Sequence, residues 1–232
     1  MLQSTDILGR ALTDYNADGF CHPLFVQTSY GGDETYEVEY FFRDFDDMPD
    51  IERYALTNCH GRILDIGAGA GSHSLYLQHE GFDITALDLS PGCVNVMVGR
   101  GLDKVMQADI FNLADGGYNT LLLLMNGIGI TGNLEGMVRF LELADKITVH
   151  GAQILFDTTD VSSVVKRKTG ANRYPGELKY KFEYCGNEGP WFEWLYLDQE
   201  KLFRLCDLSP WIPQIIYENS AGQYLARLWK KY

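Results

Sequence analysis

The sequence lacks the features by which secreted and membrane-spanning proteins are recognised. It contains no CxxC pair, and its five cysteines are scattered and odd in number. The longest apolar run, Leu121 to Met125, is the length of a strand and far shorter than the roughly 20 residues that a membrane span needs. The N-terminus has no basic stretch followed by an apolar one, as a secretory signal would. We therefore expect a protein of the reducing cytoplasm that does not cross a membrane.

Basic residues are also scarce, since 19 Lys and Arg stand against 32 Asp and Glu and give a net charge of −13. Phosphate backbones are bound through a surplus of Lys and Arg, so this composition disfavours nucleic acid as a partner. The mid-chain basic cluster Lys166-Arg167-Lys168 is interpreted as a solvated loop. We expect no bound metal, because the histidines lack metal-ligand spacing. They are His22, His60, His73, His79 and His150.

The middle of the chain alternates short apolar segments with helical patterns. The 232 residues suffice for one sizeable α/β domain. Strands are predicted at residues 62–66, 83–88, 104–108, 118–125 and 152–157. Helices are predicted at residues 72–80, 90–99 and 133–146. This order predicts a doubly wound, mostly parallel, Rossmann-like sheet of seven strands that ends antiparallel.

The flanking segments have other patterns. Near the N-terminus we predict a helix capped by Ser4 or Thr5, a strand over Tyr36 to Phe42, and a helix that begins at Pro49. After the core, alternation over Leu178 to Tyr184 and an apolar segment from Trp191 to Leu197 predict an inserted β-hairpin. Residues 198–206 form a predicted helix, and 214–218 and 223–229 form predicted strands.

A glycine-rich loop joins the first predicted core strand to its helix. It reads Asp65-Ile66-Gly67-Ala68-Gly69-Ala70-Gly71. Glycines allow the backbone to turn tightly and to approach a ligand closely, and the helix N-terminus adds free N–H groups. Asp88 ends the next strand, where an open parallel sheet offers a carboxylate to the hydroxyls of a ribose. These features together predict a cofactor that contains adenosine.

Two classes of cofactor fit this layout, and the spacing separates them. The dinucleotide fingerprint is GxGxxG, whereas this loop reads GxGxG and continues with Ser72. Asp65 would repel a pyrophosphate but suits a cofactor with an ammonium group. The loop therefore favours S-adenosylmethionine. An NAD-dependent oxidoreductase and a non-catalytic protein that binds S-adenosylmethionine remain as alternatives.

Residues 62–71 resemble motif I of the class I S-adenosylmethionine-dependent methyltransferases, and the resemblance extends over about residues 50–160. It implies that Gly67, Ala68, Gly69 and Gly71 lie under the methionine part of the cofactor, with Asp65 near its amino group. Further contacts are implied by position in the family pattern. Asp88 would bind the ribose, Leu89 would pack on the adenine, Asp109 and its neighbour Ile110 would meet the adenine edge, and Met125 and Asn126 would line the pocket at motif IV.

One departure from the family pattern bears on the methyl acceptor. Enzymes that methylate exocyclic nitrogens of bases or glutamine side chains carry Asn or Asp followed by Pro-Pro at motif IV, whereas this chain has Asn126-Gly127-Ile128-Gly129. We therefore expect a small-molecule acceptor. The sequence does not identify a catalytic residue; the candidates for a base are Asn126, His73 and Tyr174.

The resemblance implies one methyltransferase domain over residues 1–232. Its parts are a cap segment (1–60), a cofactor-binding core (61–160), a loop and hairpin insertion (161–197) and a C-terminal helix with strands (198–232). The hairpin aromatics are candidates to roof a substrate pocket. Arg43 is expected to form a surface ion pair with Asp44, Asp46 or Asp47, and its alternative partner is the cofactor carboxylate. The sequence leaves room for a homodimer through the hairpin or the last strand.

Overall fold

The computed structural model describes residues 6–161 and 174–231. In these residues the α-helices are α1 Ile7–Asp18, α2 Asp50–Thr57, α3 Ser72–His79, α4 Pro91–Gly99, α5 Leu134–Ile147 and α6 Gln199–Asp207. The strands are β1 Leu24–Thr28, β2 Asp33–Tyr36, β3 Arg62–Ile66, β4 Asp83–Asp88, β5 Val105–Gln107, β6 Tyr118–Leu123, β7 Thr148–Thr159, β8 Glu177–Tyr184, β9 Asn187–Glu188, β10 Phe192–Leu195, β11 Trp211–Glu218 and β12 Gln223–Lys230.

The main sheet has seven strands in the order β11-β12-β7-β6-β3-β4-β5. The pairs β3–β4, β3–β6, β4–β5 and β6–β7 are parallel. Strand β12 runs antiparallel to both β7 and β11. The prediction of a doubly wound, mostly parallel sheet with an antiparallel C-terminal end is confirmed. This topology places the carboxyl ends of the parallel strands at one edge, which is where open α/β sheets bind ligands.

Strand β6 and its continuation explain why the apolar run Leu121 to Leu124 is needed. Leu121 and Leu123 point into the core cluster that contains Phe140 of α5. Leu122 and Leu124 point into the opposite cluster, which α2 and α3 cover. Successive side chains of a strand face opposite sides, so a strand that is covered on both faces must be apolar at every position.

A second, antiparallel sheet contains the predicted hairpin. Its strand order is β10-β8-β1-β2, with β9 paired to β8. The hairpin therefore forms as predicted but is joined by two strands from the N-terminal segment, which the sequence pattern did not indicate. Tyr184 is fully buried against α1, and its hydroxyl donates to Oδ2 of Asp14 over 2.8 Å. This contact fixes the second sheet to the rest of the chain.

The prediction of a strand over Tyr36 to Phe42 is wrong. Strand β2 ends at Tyr36, and Val38–Phe42 forms a 3-10 helix. The reason lies in Phe41 and Phe42, which are neighbours and are both half-buried. Phe41 packs against Gly69, and the ring of Phe42 lies 4.7 Å from that of Tyr15. Neighbouring residues of a strand point to opposite faces, so a helical turn is needed to bury both rings.

Two helix starts also differ from expectation. Asp6 caps α1 by accepting a hydrogen bond from the backbone N–H of Gly9; the expected caps, Ser4 and Thr5, lie outside the described residues, as do Lys166, Arg167 and Lys168. Pro49 occupies the N-cap of α2 and not its first turn.

Within the described parts of the chain, no helix has the length and apolarity that crossing a membrane requires.

Candidate active site

The glycine loop connects β3 to α3 at the ligand-binding edge of the main sheet. The backbone N–H groups of Gly67 and Ala68 donate to the carbonyl of Leu87 over 2.8 and 3.1 Å, which fixes the loop to β4. Gly67 and Gly69 have φ values of +74° and +58°, in the left-handed region that disfavours other residues. The loop therefore presents bare backbone toward the space above the sheet.

Neighbouring side chains show how little room the loop leaves. A Cβ atom on Gly67 would overlap Cδ1 of Ile130, and one on Gly69 would lie 3.2 Å from Cδ1 of Phe41. Phe41 belongs to the N-terminal segment and Ile130 to the loop after β6. The glycine loop is thus enclosed by two elements that are remote from it in sequence.

Asp88 at the end of β4 lies directly against the glycine loop, as the sequence predicts. Its Oδ2 accepts from the backbone N–H of Gly69 over 2.9 Å, and its Oδ1 accepts from that of Ser90 over 2.8 Å. Burial raises the pKa of Asp88 to about 6, although both hydrogen bonds act to lower it. Leu89 follows with 68% of its surface exposed. An apolar contact surface therefore lies beside the carboxylate.

Asp6 supports this turn from the N-terminal segment. Its carboxylate accepts from the hydroxyl of Ser90 over 2.7 and 2.8 Å and from the N–H of Gly92 over 2.9 Å. These contacts fix the start of α4 immediately after Asp88. No sequence pattern links residue 6 to residue 90, so the role of Asp6 was missed.

Asp109 and Ile110 follow β5, the strand next to β4. Gln107 pairs with Asp88 across the two strands, so both acids stand at the same edge of the sheet. The Oδ1 of Asp109 accepts from the N–H of Phe111 over 3.0 Å and caps a short 3-10 helix. Ile110 is buried beneath it. The structure thus brings Asp109 near Asp88 while engaging part of its carboxylate locally.

Asp65 lies behind the loop. Its side chain is almost fully buried, and its Oδ2 accepts from the hydroxyl of Ser74 on α3 over 2.7 Å. Burial raises the pKa of Asp65, which the nearby charge of His73 and the hydrogen bond from Ser74 partly offset. Its observed hydrogen bond is directed into α3.

The turn after β6 is held by an acid that the sequence reading missed. Met125 and Asn126 have φ values of +60° and +56°. Asp157, fully buried on β7, accepts the N–H of Asn126 on both carboxylate oxygens over 3.1 Å. Thr159 donates to Oδ1 of Asn126 over 3.1 Å. The signal was present, since β7 follows β6 in the predicted sheet and an acid near its end would reach the same edge.

Arg43, Glu52 and His73 form a buried ionic network beside the glycine loop. The Nη2 of Arg43 donates to both Glu52 oxygens over 2.8 and 2.9 Å, and Nε2 of His73 lies 2.8 Å from Oε2. The expected surface pair of Arg43 with Asp44, Asp46 or Asp47 is wrong, because α2 presents Glu52 inside the fold. A narrow pocket adjoins the network and is lined by Tyr40, Phe41, Arg43, Met48, Glu52, Ala68, Ser72, His73 and Met125.

The two titratable members of this network stabilise each other's charged forms. Burial alone would raise the pKa of Glu52, but the hydrogen bond and charge of His73, with Arg43, lower it. Burial alone would lower the pKa of His73, but the hydrogen bond and charge of Glu52 raise it. The ionised Glu52 therefore contributes stability above its ordinary pKa of 4.5, and the protonated His73 does so below 6.5.

Glu52→Gln is expected to lower the free energy of unfolding by about 2 kcal/mol, because it removes the charge that Arg43 and His73 share. The loss should be larger at about pH 5.5, where both Glu52 and His73 are charged, than at about pH 9. Urea unfolding at the two pH values measures it. Glu39→Gln, at an exposed site on the nearby 3-10 helix, serves as the control. Equal losses in the two variants would contradict the network's role.

Of the three candidate bases, only His73 lies in the pocket beside the loop. Asn126 lies in the adjacent turn. Tyr174 is remote from both: its hydroxyl donates to Oδ2 of Asp198 over 2.9 Å and accepts from the N–H of that residue over 2.8 Å. Burial raises the pKa of Tyr174, so its hydroxyl stays protonated. In the described part of the chain, no group of three or more His, Cys, Asp or Glu could hold a metal ion.

The second sheet covers the turn after β6. A Cβ atom on Gly129 would overlap the indole of Trp194 from β10. Phe41, from the segment between β2 and α2, packs on Gly69 in the same way. Aromatic side chains thus cover the loops that follow β3 and β6.

Comparison with known proteins identifies a family and a similar solved structure. The family model described as tellurite resistance protein TehB matches residues 50–110. A SAM-dependent methyltransferase from Bacteroides fragilis, solved in complex with S-adenosyl-L-homocysteine, is 33% identical and superimposes with a TM-score of 0.93 over 99% of this chain and 96% of that one. No curated protein matches the chain.

More distant structures share the fold. The DhpI protein, solved in a DhpI-SAM-HEP complex, is 20% identical with a TM-score of 0.60 over 77% of this chain and 82% of that one. CalS10, an amino pentose methyltransferase from Micromonospora echinaspora solved with SAM bound, is 13% identical with a TM-score of 0.56 over 87% and 100%. The seven-stranded architecture is therefore that of known methyltransferases.

Proposed function

Because the chain belongs to the class I S-adenosylmethionine-dependent methyltransferases, we propose that it methylates a small-molecule acceptor by in-line attack on the cofactor methyl group. Membership excludes the alternative of an NAD-dependent oxidoreductase. The observation that carries the proposal is the contact between the Asp88 carboxylate and the N–H of Gly69, which combines a ribose acceptor with a bare-backbone cradle. The Bacteroides fragilis relative holds S-adenosyl-L-homocysteine, the product of methyl donation.

The chemistry of the site fits S-adenosylmethionine. Bare backbone at Gly67, Gly69 and Gly71, with Ala68 between, would lie under the cofactor. A Cβ on Gly69 would point toward Phe41, whereas one on Gly71 would overlap Met97 and Leu102 in the core. Asp88 is placed to accept from ribose hydroxyls, and exposed Leu89 to pack on the adenine. Asp109 and Ile110 would meet the adenine edge, while Met125 and Asn126 would line the pocket near the sulfonium.

The amino acid end of the cofactor carries both an ammonium and a carboxylate group, and the ionic network offers both complements. Arg43 and His73 suit the carboxylate, and Glu52 suits the ammonium. The buried Nε of Arg43 has no hydrogen-bond partner in the described residues, so the guanidinium retains a free donor. Asp65 would act on the ammonium through its charge, since its hydrogen bond is directed to Ser74.

S-adenosylmethionine supplies a methyl group activated by its sulfonium: a lone pair of the acceptor forms the new bond to carbon while the carbon–sulfur pair departs on sulfur. The chain's part is to align the acceptor and exclude water, and positioning of this kind supplies roughly 7–11 kcal/mol of a barrier. The aromatic side chains of Phe41 and Trp194 would help to exclude water. A proton released by the acceptor would pass to water, because Glu52 raises the pKa of His73 and favours its protonated form.

The turnover of S-adenosylmethionine to S-adenosylhomocysteine against a panel of metabolites is the primary test. Acceptor-dependent product formation is expected with small molecules and not with oligonucleotides, because the net charge of −13 opposes phosphate backbones. Calorimetric measurement of S-adenosylmethionine binding is an independent test. No heat of binding at high micromolar ligand would refute the cofactor site itself.

The affinity for S-adenosylhomocysteine is expected to fall as the pH drops through about 6. The pKa of Asp88 is raised to about 6 by burial, and only the carboxylate can accept from two ribose hydroxyls. At about pH 5 the dissociation constant should be about tenfold higher than at about pH 7.5. Calorimetric titrations at both pH values measure this, and in Asp88→Asn the profile should be flat. If the affinity of the Asp88→Asn variant for S-adenosylhomocysteine still depends on pH, a group other than Asp88 causes the pH dependence.

We further propose that residues 1–232 act as one methyltransferase domain in the cytoplasm. Support comes from the five cysteines, all of which are free thiols, and from contacts such as Asp6 with Ser90 that join the cap segment to the core. A homodimer remains a prediction, which the mass in solution by light scattering would test.

A further inference from the structure

One face of the second sheet is rich in aromatic side chains. Directly paired residues share a face in an antiparallel sheet, and the register pairs Leu24 with Tyr36, Val26 with Phe182, Thr28 with Tyr180, Tyr180 with Phe192 and Leu178 with Trp194. We call this surface the aromatic face and define it by Tyr36, Tyr180, Phe182, Phe192 and Trp194. The register also puts Leu24, Val26, Thr28, Glu34, Leu178 and Tyr184 on this face.

The rings form an unbroken layer. The ring centroids of Tyr36 and Phe182 are 6.3 Å apart, those of Phe182 and Phe192 are 5.1 Å apart, and those of Phe192 and Trp194 are 6.0 Å apart. Tyr196 extends the layer, since its hydroxyl accepts from that of Tyr180 over 3.2 Å.

One end of the layer reaches the glycine loop through Phe41, and the other contacts the turn after β6. At one end, Tyr36 stacks on Phe41 with centroids 6.5 Å apart, and Phe41 packs on Gly69. At the other end, Trp194 packs on Gly129 in the turn after β6. The aromatic face therefore spans the space between the two loops that flank the methyl-transfer region. An acceptor that approaches this region meets these rings.

Glu34 is a carboxylate on this face. It is exposed on the edge strand β2 and pairs with Val26, and Phe182 lies one strand further, on the other side of Val26. The hydroxyl of Tyr30 donates to its Oε1 over 3.1 Å. Across residues 6–161 and 174–231, no Lys or Arg forms an ion pair with it. Its negative charge is therefore not neutralised by a neighbouring cation in the described structure.

The tyrosines add no charge of their own. Burial and then the charge of Glu34 raise the pKa of Tyr36, and burial also raises the pKa of Tyr196. Their hydroxyls stay protonated at neutral pH. The surface consequently combines one carboxylate with several electron-rich ring faces.

We propose that the aromatic face and Glu34 bind a cationic group of the methyl acceptor, which is therefore an amine-bearing small molecule. This rests on the proposed function. Ring faces attract cations through their quadrupole, and quaternary ammonium groups are recognised by such surroundings. A protonated or quaternary nitrogen has no lone pair with which to attack a methyl group. The cation is thus an anchor, and the attacking atom lies elsewhere in the acceptor.

The same surface selects against other acceptors. An anionic molecule would place like charge beside Glu34, and a neutral one would gain no charge–charge attraction from it. Packing of the sheet on the core accounts for the rings, whereas Glu34 is exposed on the edge strand β2 and takes no part in that packing. Glu34 is therefore the residue on which discrimination between an amine and its uncharged counterpart depends.

Choline and its uncharged isostere 3,3-dimethylbutan-1-ol test this directly. Choline has a quaternary nitrogen and the isostere a quaternary carbon, so the pair differs in charge and not in shape. We expect choline to bind at least about tenfold more tightly, a difference of about 1.4 kcal/mol, and to shift the indole N–H resonance of Trp194, assigned with Trp194→Phe. Glu34→Gln should remove the difference in affinity.

The matched control is Glu183→Gln. Glu183 lies on β8 of the same sheet but pairs with Phe25, so it faces the other side and its loss should leave choline binding unchanged. Equal affinity for choline and its isostere, or a preference that survives in Glu34→Gln, would overturn the inference. Binding of S-adenosylhomocysteine, measured in parallel, tests the proposed function separately, because Glu34 does not touch the glycine loop. If S-adenosylhomocysteine does not bind, the proposed function is overturned, whatever the result with choline.

Discussion

Replacing Gly69 with valine is expected to weaken the binding of S-adenosylhomocysteine by at least about 1000-fold, or about 4 kcal/mol. Two effects combine. A β-branched residue is strongly disfavoured at the φ of +58° that this position has, so the loop must change shape. The added side chain would also enter the space beside Phe41 that the cofactor needs. Calorimetric titration of the purified variant measures the loss.

A matched glycine separates these effects from simple strain. Gly81 has a φ of +85°, yet a Cβ there meets nothing within 4 Å. It follows α3, at the opposite end of that helix from the loop. Gly81→Val should therefore lower the melting temperature through strain while keeping the wild-type affinity. If Gly69→Val binds as tightly as Gly81→Val, the glycine loop is not the cofactor cradle.

Asp88→Ala should raise the dissociation constant for S-adenosylhomocysteine by at least about 100-fold, or about 2.7 kcal/mol. Hydrogen bonds to a charged group are worth about 1.5–3 kcal/mol each, and the ribose offers two hydroxyls. The change also removes the acceptor of the Gly69 and Ser90 N–H groups, so the loop loses its fixed position. Titration with both S-adenosylhomocysteine and adenosine localises the loss to the nucleoside.

Asp109→Ala is the comparison for this variant, because Asp109 caps its own 3-10 helix and stands at the next strand end. A smaller loss, about tenfold, is expected there, since one hydrogen bond to adenine is at stake. Thermal unfolding of both variants checks that they fold. Asp88→Ala with wild-type affinity for adenosine would remove the ribose contact from the proposed site.

The cofactor half of the site was predictable because its signals are local. Gly67 to Gly71 and Asp88 occur at fixed distances from strand ends, and parallel pairing of β3 with β4 brings them together. Asp157, near the end of β7, could have been predicted from the same argument but was overlooked. The mostly parallel, doubly wound form of the sheet followed from the alternation of strands and helices in the same way. Local patterns thus suffice wherever neighbouring elements in sequence are neighbours in space.

The rest of the site depends on packing between distant segments. Glu52 reaches Arg43 and His73 only because α2 lies across the sheet, and no periodicity reveals an acid on its buried side. The strand predicted over Tyr36 to Phe42 failed because alternation continued in the sequence after the backbone had turned. Tertiary contacts decide which side chains cover the site, and such contacts produce no recognisable spacing in the sequence.

The pairing of β1 with β8 also has a consequence for the order of folding. Leu24 faces Tyr184 across these strands, so the second sheet closes only after most of the chain has left the ribosome. Closing so long a loop carries an entropic cost that must be met before the contacts form. The parallel core from β3 to β7 involves shorter separations and is complete earlier in synthesis. A nascent chain would thus acquire its nucleotide cradle before its aromatic roof, and roof closure would be the late, slow step of maturation.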